Sequence, residues 1–89
     1  MKYSYVVFPD ETEITYSDID DGGNVEVHIE TPVDDGFNSL RCKLPSYEIS
    51  ESIGYNKEKI NYLMDFLHRN AHLIIEFART GGFDKTAAV

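Results

Sequence analysis

The stretch NKEKINYLMDFLHRNAHLIIEFARTGG, residues 56–82, decides the fold of this 89-residue chain. Its side-chain chemistry marks both ends of a helix. The amide oxygen of Asn56 can accept from the free N–H groups of a first turn, and Tyr55 and Ile60 have the spacing of a hydrophobic staple around that cap. Gly81 and Gly82 can take the left-handed conformation that closes a helix, with Phe83 placed to fold back on Phe77 or Ala78. Neither proline nor glycine interrupts the interval, so the spacing predicts about 23 helical residues, or roughly 35 Å.

At about 100° per residue, Ile60, Leu63, Met64, Leu67, Ala71, Ile74, Ile75 and Ala78 form one apolar stripe. Tyr62, Phe66, Leu73 and Phe77 form a second stripe beside it. Together they cover more than half the circumference, wider than the single stripe of an ordinary surface helix. The remaining arc carries Asn61, Asp65, His68, Arg69, His72, Glu76 and Arg79 and is expected to face water. Asn70 falls between the two stripes and needs a hydrogen-bond partner if it is buried.

Outward from the helix, the preceding residues read as strands. Asn24 to Glu30 alternates cleanly, with Val25, Val27 and Ile29 on one face and Asn24, Glu26, His28 and Glu30 on the other. Pro32 is expected to stop that ladder. Phe37 to Leu44 follows with Leu40, Cys42 and Leu44 facing in and Arg41 and Lys43 facing out, and Pro45 ends it. Tyr3 to Phe8 is apolar on both faces, which predicts a strand inside the sheet. Pro9-Asp10-Glu11 turns it into Glu13 to Ser17, a hairpin partner. Ser46 to Ile53 reads as a short helical turn stopped by Gly54. The expectation is one α+β domain over residues 1–89, with a sheet over 3–44, a connecting segment 45–55, the helix 56–80 and a tail 81–89. The sheet is mostly antiparallel, with about four strands packed by the C-terminal helix, because turn-like links leave no room for parallel crossovers.

Composition narrows the function. Sixteen acidic against eight basic side chains give a formal net charge of −8. Direct nucleic-acid binding and attachment to an anionic membrane are disfavoured, because both need a basic face. Hydrophobic residues make up 42%, with six tyrosines and five phenylalanines, which argues for a folded globule over a disordered acidic chain. One cysteine rules out an intramolecular disulfide and a multi-cysteine metal centre. No apolar run reaches the length of a signal or membrane-spanning segment, so a cytoplasmic protein is expected.

Three constellations invite a chemical reading. Asp65, His68, His72 and Glu76 share one side of the helix, and two imidazoles with carboxylates can hold a divalent metal. The pattern lacks HExxH, and Arg69 would set a positive charge beside the cation, so solvent-exposed pairs Asp65–Arg69 and His72–Glu76 are the plainer reading. Asp18-Ile19-Asp20-Asp21-Gly22-Gly23-Asn24 groups oxygen ligands beside glycine, but Gly22 stands where a calcium loop needs a ligand. Cys42 alternates in phase with Leu40 and Leu44, which predicts a core thiol. His28 is expected on the opposite sheet surface, so a Cys–His pair is not expected. No phosphate-binding glycine loop or nucleophile elbow occurs, so the reading leans away from an enzyme, with a divalent metal as the one cofactor entertained.

The extended Val25-Glu26-Val27-His28 segment, the Leu44-Pro45 break and the helical Phe66-Leu67-His68-Arg69-Asn70-Ala71-His72-Leu73-Ile74 follow one another in an order that resembles short bacterial or phage domains in which a few strands precede a long C-terminal helix. The likeness runs from about Tyr16 to Gly82. It implies the fold class and no functional residue, since such domains carry no assigned activity.

The leading expectation is therefore an acidic interaction module that pairs with a second copy or a protein partner through Tyr62, Phe66, Leu73 and Phe77. Two alternatives stand beside it. One is a metal-dependent site on Asp65, His68, His72 and Glu76. The other is a DNA-mimic or antitoxin-like inhibitor that presents Asp18, Asp20, Asp21, Asp34 and Asp35 to a basic protein.

Overall fold

The computed structural model describes residues 1–80. It has an α+β fold: strands β1 (Lys2–Val7), β2 (Glu13–Ser17), β3 (Val25–Val33), β4 (Gly36–Leu44) and β5 (Glu48–Ile53), then helix α1 (Lys57–Arg79). The strands form one antiparallel sheet in sequence order. Short connections permit nothing else, because a parallel neighbour would need a crossover of a dozen or more residues.

Alternation sets which face is buried. Val25, Val27 and Ile29 of β3 lie opposite Leu44, Cys42 and Leu40 of β4, and Ile14 and Tyr16 of β2 lie opposite Ile29 and Val27. All eight are buried, and α1 closes over them with Leu63, Leu67, Ala71, Ile74 and Ala78. Each large side chain sealed in this way contributes about 1.5–3 kcal/mol. The helix begins as expected: Asn56 Oδ1 accepts from Lys59 N at 2.8 Å. It spans 23 residues and ends at Thr80, whose N–H donates to Glu76 O at 3.1 Å and whose hydroxyl donates to Phe77 O at 3.1 Å. Gly81, Gly82, Phe83 and the expected tail lie outside the described residues.

The sheet differs from its sequence reading in four places. It has five strands, because Glu48–Ile53, expected as part of a helical connection, pairs with β4. Tyr47 before it and Gly54 after it take positive φ values of 63° and 87°, and these turns redirect the chain. Pro32 does not stop β3: it pairs with Phe37, and the hairpin closes through Asp34-Asp35. The β2 ladder has already ended at Glu13–Glu30, so Pro32 stands where β3 is locally an edge and proline is tolerated. Strands β3 and β4, expected over 24–30 and 37–44, are nine residues each, about 30 Å, so the sheet is long enough to run under most of the helix.

The fourth difference is β1, which is an edge strand and not an inner one. Ser4 pairs with Thr15 and Val6 with Ile14, leaving Tyr5 as an extra residue. This bulge turns both Tyr5 and Val6 toward the helix side, where they pack on the core. Apolar side chains that look two-sided in sequence thus share one face. The opposite edge carries a matching irregularity, since Arg41 pairs with Glu51 and Cys42 with Ile49, so that Ser50 has no partner residue.

Candidate functional site

The second apolar stripe of α1 divides into a covered half and an open half. The covered half meets β1. Phe66 lies edge-on to Phe8 with ring centroids 5.1 Å apart, and Tyr5 sits 6.4 Å from Phe66 and 6.1 Å from Phe77. Asn70 lies between them, half-buried. Its Oδ1 accepts from the Tyr5 hydroxyl at 2.7 Å, and its Nδ2 donates to Phe66 O at 2.9 Å. One side-chain amide therefore has a partner at each end, which satisfies the requirement its position sets. Burial also pushes the Tyr5 phenol above its ordinary value, so it stays a donor at neutral pH.

The open half is Tyr62, 57% exposed, and Leu73, 40% exposed. With the half-buried Phe66 and Phe77 they make an apolar ridge along the helix. Beside Tyr62 the ridge opens into a shallow groove of about 600 Å3 lined by Phe8, Pro9, Asp10, Asn56, Glu58 and Lys59. Lys59 Nζ lies 3.3 Å from Asp10 Oδ2 and 5.3 Å from the Tyr62 ring centroid. The Thr12 side chain first and its backbone N–H second, with Lys59 as a lesser contributor, hold the Asp10 carboxyl below the usual range. The groove lining thus mixes the apolar Phe8, Pro9 and Tyr62 with the Asp10–Lys59 ion pair.

Three of the four candidate metal residues meet separate partners. Asp65 pairs with Arg69, as the sequence suggests. Glu76 pairs with Arg79 at 3.7 Å, where His72 was the expected partner. His68 stacks on Tyr47 from the β4–β5 turn, with ring centroids 3.8 Å apart and planes 19° from parallel. Among the described residues, no group of three or more His, Cys, Asp or Glu side chains is placed to hold a metal ion.

The acidic residues are also distributed. Asp20 Oδ1 accepts from Gly22 N at 2.9 Å and Asn24 N at 2.8 Å, and these backbone donors, Asn24 first, lower its pKa. Asp18 accepts from the Tyr3 hydroxyl at 2.7 Å. The Asp18–Asp21 loop precedes β3 and the Asp34-Asp35 turn follows it, so the two clusters stand at opposite ends of a strand about 30 Å long. Among the described residues no helix is long and apolar enough to cross a membrane.

On the sheet face away from the helix, His28 is less isolated than its flanking glutamates imply. Its Nδ1 lies 2.9 Å from Lys2 Nζ, and its Nε2 lies 3.0 Å from Ser39 Oγ and 3.6 Å from Glu30 Oε2. Register brings Ser39 beside it, opposite Glu30, and no local pattern in the sequence encodes that. A serine beside an imidazole suggests a nucleophile, but an ammonium can only donate. With Lys2 donating to Nδ1, the neutral ring carries its proton on Nε2, on the Ser39 side, and has no lone pair there to accept the serine proton. Burial first, and Lys2 second, depress the His28 pKa. Cys42 lies on the other face, buried, with its thiol pushed up to about 11 by desolvation, so it is a packing group, as its alternation predicts.

Comparison with protein families, with curated proteins and with solved structures finds no match for this chain.

Proposed function

We propose that the protein is an acidic interaction module that self-associates through the helix ridge formed by Tyr62, Phe66, Leu73 and Phe77. The observation that carries this reading is the exposure of Tyr62 and Leu73 on the side of α1 that β1 leaves open. An apolar ridge beside a shallow groove is the kind of surface that marks association, and a two-fold pair is the commonest way to cover one. The sheet face opposite the helix is the weaker candidate, because Lys2, Glu26, Glu30 and Arg41 cover it with charge.

Sedimentation equilibrium at tens of micromolar tests the reading. The wild-type chain is expected to sediment at twice its formula mass, and Tyr62→Glu and Leu73→Glu are each expected to weaken association by about tenfold or more. Both positions are exposed, so the variants keep the wild-type circular dichroism. A wild-type monomer across that range would rule the reading out.

A further inference from the structure

The ridge is part of a longer pattern that specifies how two copies meet. Lys59, Tyr62, Phe66, Arg69, Leu73 and Glu76 follow one another at intervals of three, four, three, four and three residues. That is the 3.5-residue period of a helix-pairing seam, and it runs along the side of α1 away from Leu63, Leu67, Ala71, Ile74 and Ala78, the residues spent on the core. The seam has a cation at its start, a cation in the middle and an anion at its end, with the apolar side chains between. Building on the association proposed above, we infer that two copies of the chain pair their α1 helices antiparallel, about a two-fold axis between Leu67 and His68.

Charge decides the direction. In a parallel pair, Lys59 would meet Lys59, Arg69 would meet Arg69 and Glu76 would meet Glu76, three like-charge contacts on one seam. Turning one helix around sets Lys59 against Glu76 of the second copy and Tyr62 against Leu73 of the second copy. Arg69 of the second copy then comes level with Phe66, whose ring is only half-buried against Phe8 and Tyr5, so the guanidinium can meet the part that β1 leaves open. The local pairs fit the same direction. Asp10 with Lys59 at one end and Glu76 with Arg79 at the other present alternating signs to each other, and Asp65 with Arg69 does so across the axis. The groove beside Tyr62 then lies next to Leu73 and Phe77 of the second copy.

Cysteine pairing reads the direction. In the antiparallel seam the two copies of residue 62 lie about 16 Å apart along the axis, as do the two copies of residue 73, while residues 62 and 73 of different copies lie level. Tyr62→Cys and Leu73→Cys chains are treated with a bis-maleimide shorter than that distance, alone and as an equal mixture, with the wild type as control for buried Cys42. The mixture is expected to give covalent dimer and each variant alone little. A second measurement avoids the loss of Tyr62: Lys59→Glu and Glu76→Lys are each expected to weaken the dimer several-fold, and the double variant to restore it. Efficient crosslinking of each variant alone, or a sedimenting dimer that crosslinks in no combination, overturns the antiparallel register and leaves self-association standing. A dimer in which the charge double variant is as weak as the sum of the singles does the same. A monomeric wild type overturns both.

Discussion

Asn70 shows how much one side chain can hold. It joins β1 to α1 by a single amide, accepting from Tyr5 and donating back into its own helix turn. Tyr5→Phe leaves its half-buried carbonyl oxygen without that donor, and chemical denaturation is expected to show a loss of about 1–3 kcal/mol, while Tyr5→Phe with Asn70→Leu, which removes both polar ends, should lose less than the sum of the singles. At His28 the consequence is a pH dependence. Its folded pKa lies below the ordinary 6.5, so below that pH the unfolded chain binds the proton that the folded ring resists. The stability it contributes is complete above 6.5 and falls as pH drops through the folded pKa. Thermal melts should show this decline between pH 7 and 5, and His28→Gln should flatten it; a melting temperature that rises on acidification over that interval would contradict the arrangement. The positions of Asn70 and Cys42 can be read from sequence because each is fixed by the period of its own element. The contacts of His28 with Lys2 and Ser39 cannot, since they depend on the registers of three strand pairings at once.

At the scale of elements, the long helix and β3 are legible because burial on one side imposes a period: 3.6 for the first, two for the second. Strand β5 is not, because all six of its residues are exposed and nothing selects an alternation. Its position depends instead on the turns that flank it. Gly54 holds φ at 87°, a conformation that strains any L side chain, and a Cβ there would also displace the Asn38 carboxamide, so Gly54→Ala is expected to cost about 1–3 kcal/mol and to loosen β5 first, visible as faster amide exchange from Glu48 to Ile53 than from β3. Asn56→Ala, which removes the bond to Lys59 N, should cost about 1 kcal/mol with no selective effect on β5. The apolar ridge is half legible. Its stripe follows from spacing, but the bulge at Tyr5 that lets β1 cover Phe66 and Phe77 has no period to announce it.

For the whole molecule, the balance of charge is the dominant long-range term. A net charge of −8 on 89 residues repels itself in the compact state, and the surface pairs that offset it, such as Arg41 with Glu51 at 3.2 Å, are each worth less than about 1 kcal/mol. Raising ionic strength from about 10 mM to 150 mM shortens the screening length from roughly 30 Å to 8 Å, so the melting temperature is expected to rise; a fall would mean that the ion pairs outweigh the net repulsion. The extra residues at Tyr5 and Ser50 matter at this scale too. Each interrupts the regular pairing of a sheet border, and a border so interrupted is a poor template for a strand from another chain. Backbone-to-backbone growth, which accepts almost any extended peptide, is thereby discouraged at both ends of the sheet. Under the association proposed above, recognition falls to side chains on the helix, where a single codon change can rewrite the choice of partner while the scaffold beneath is left intact.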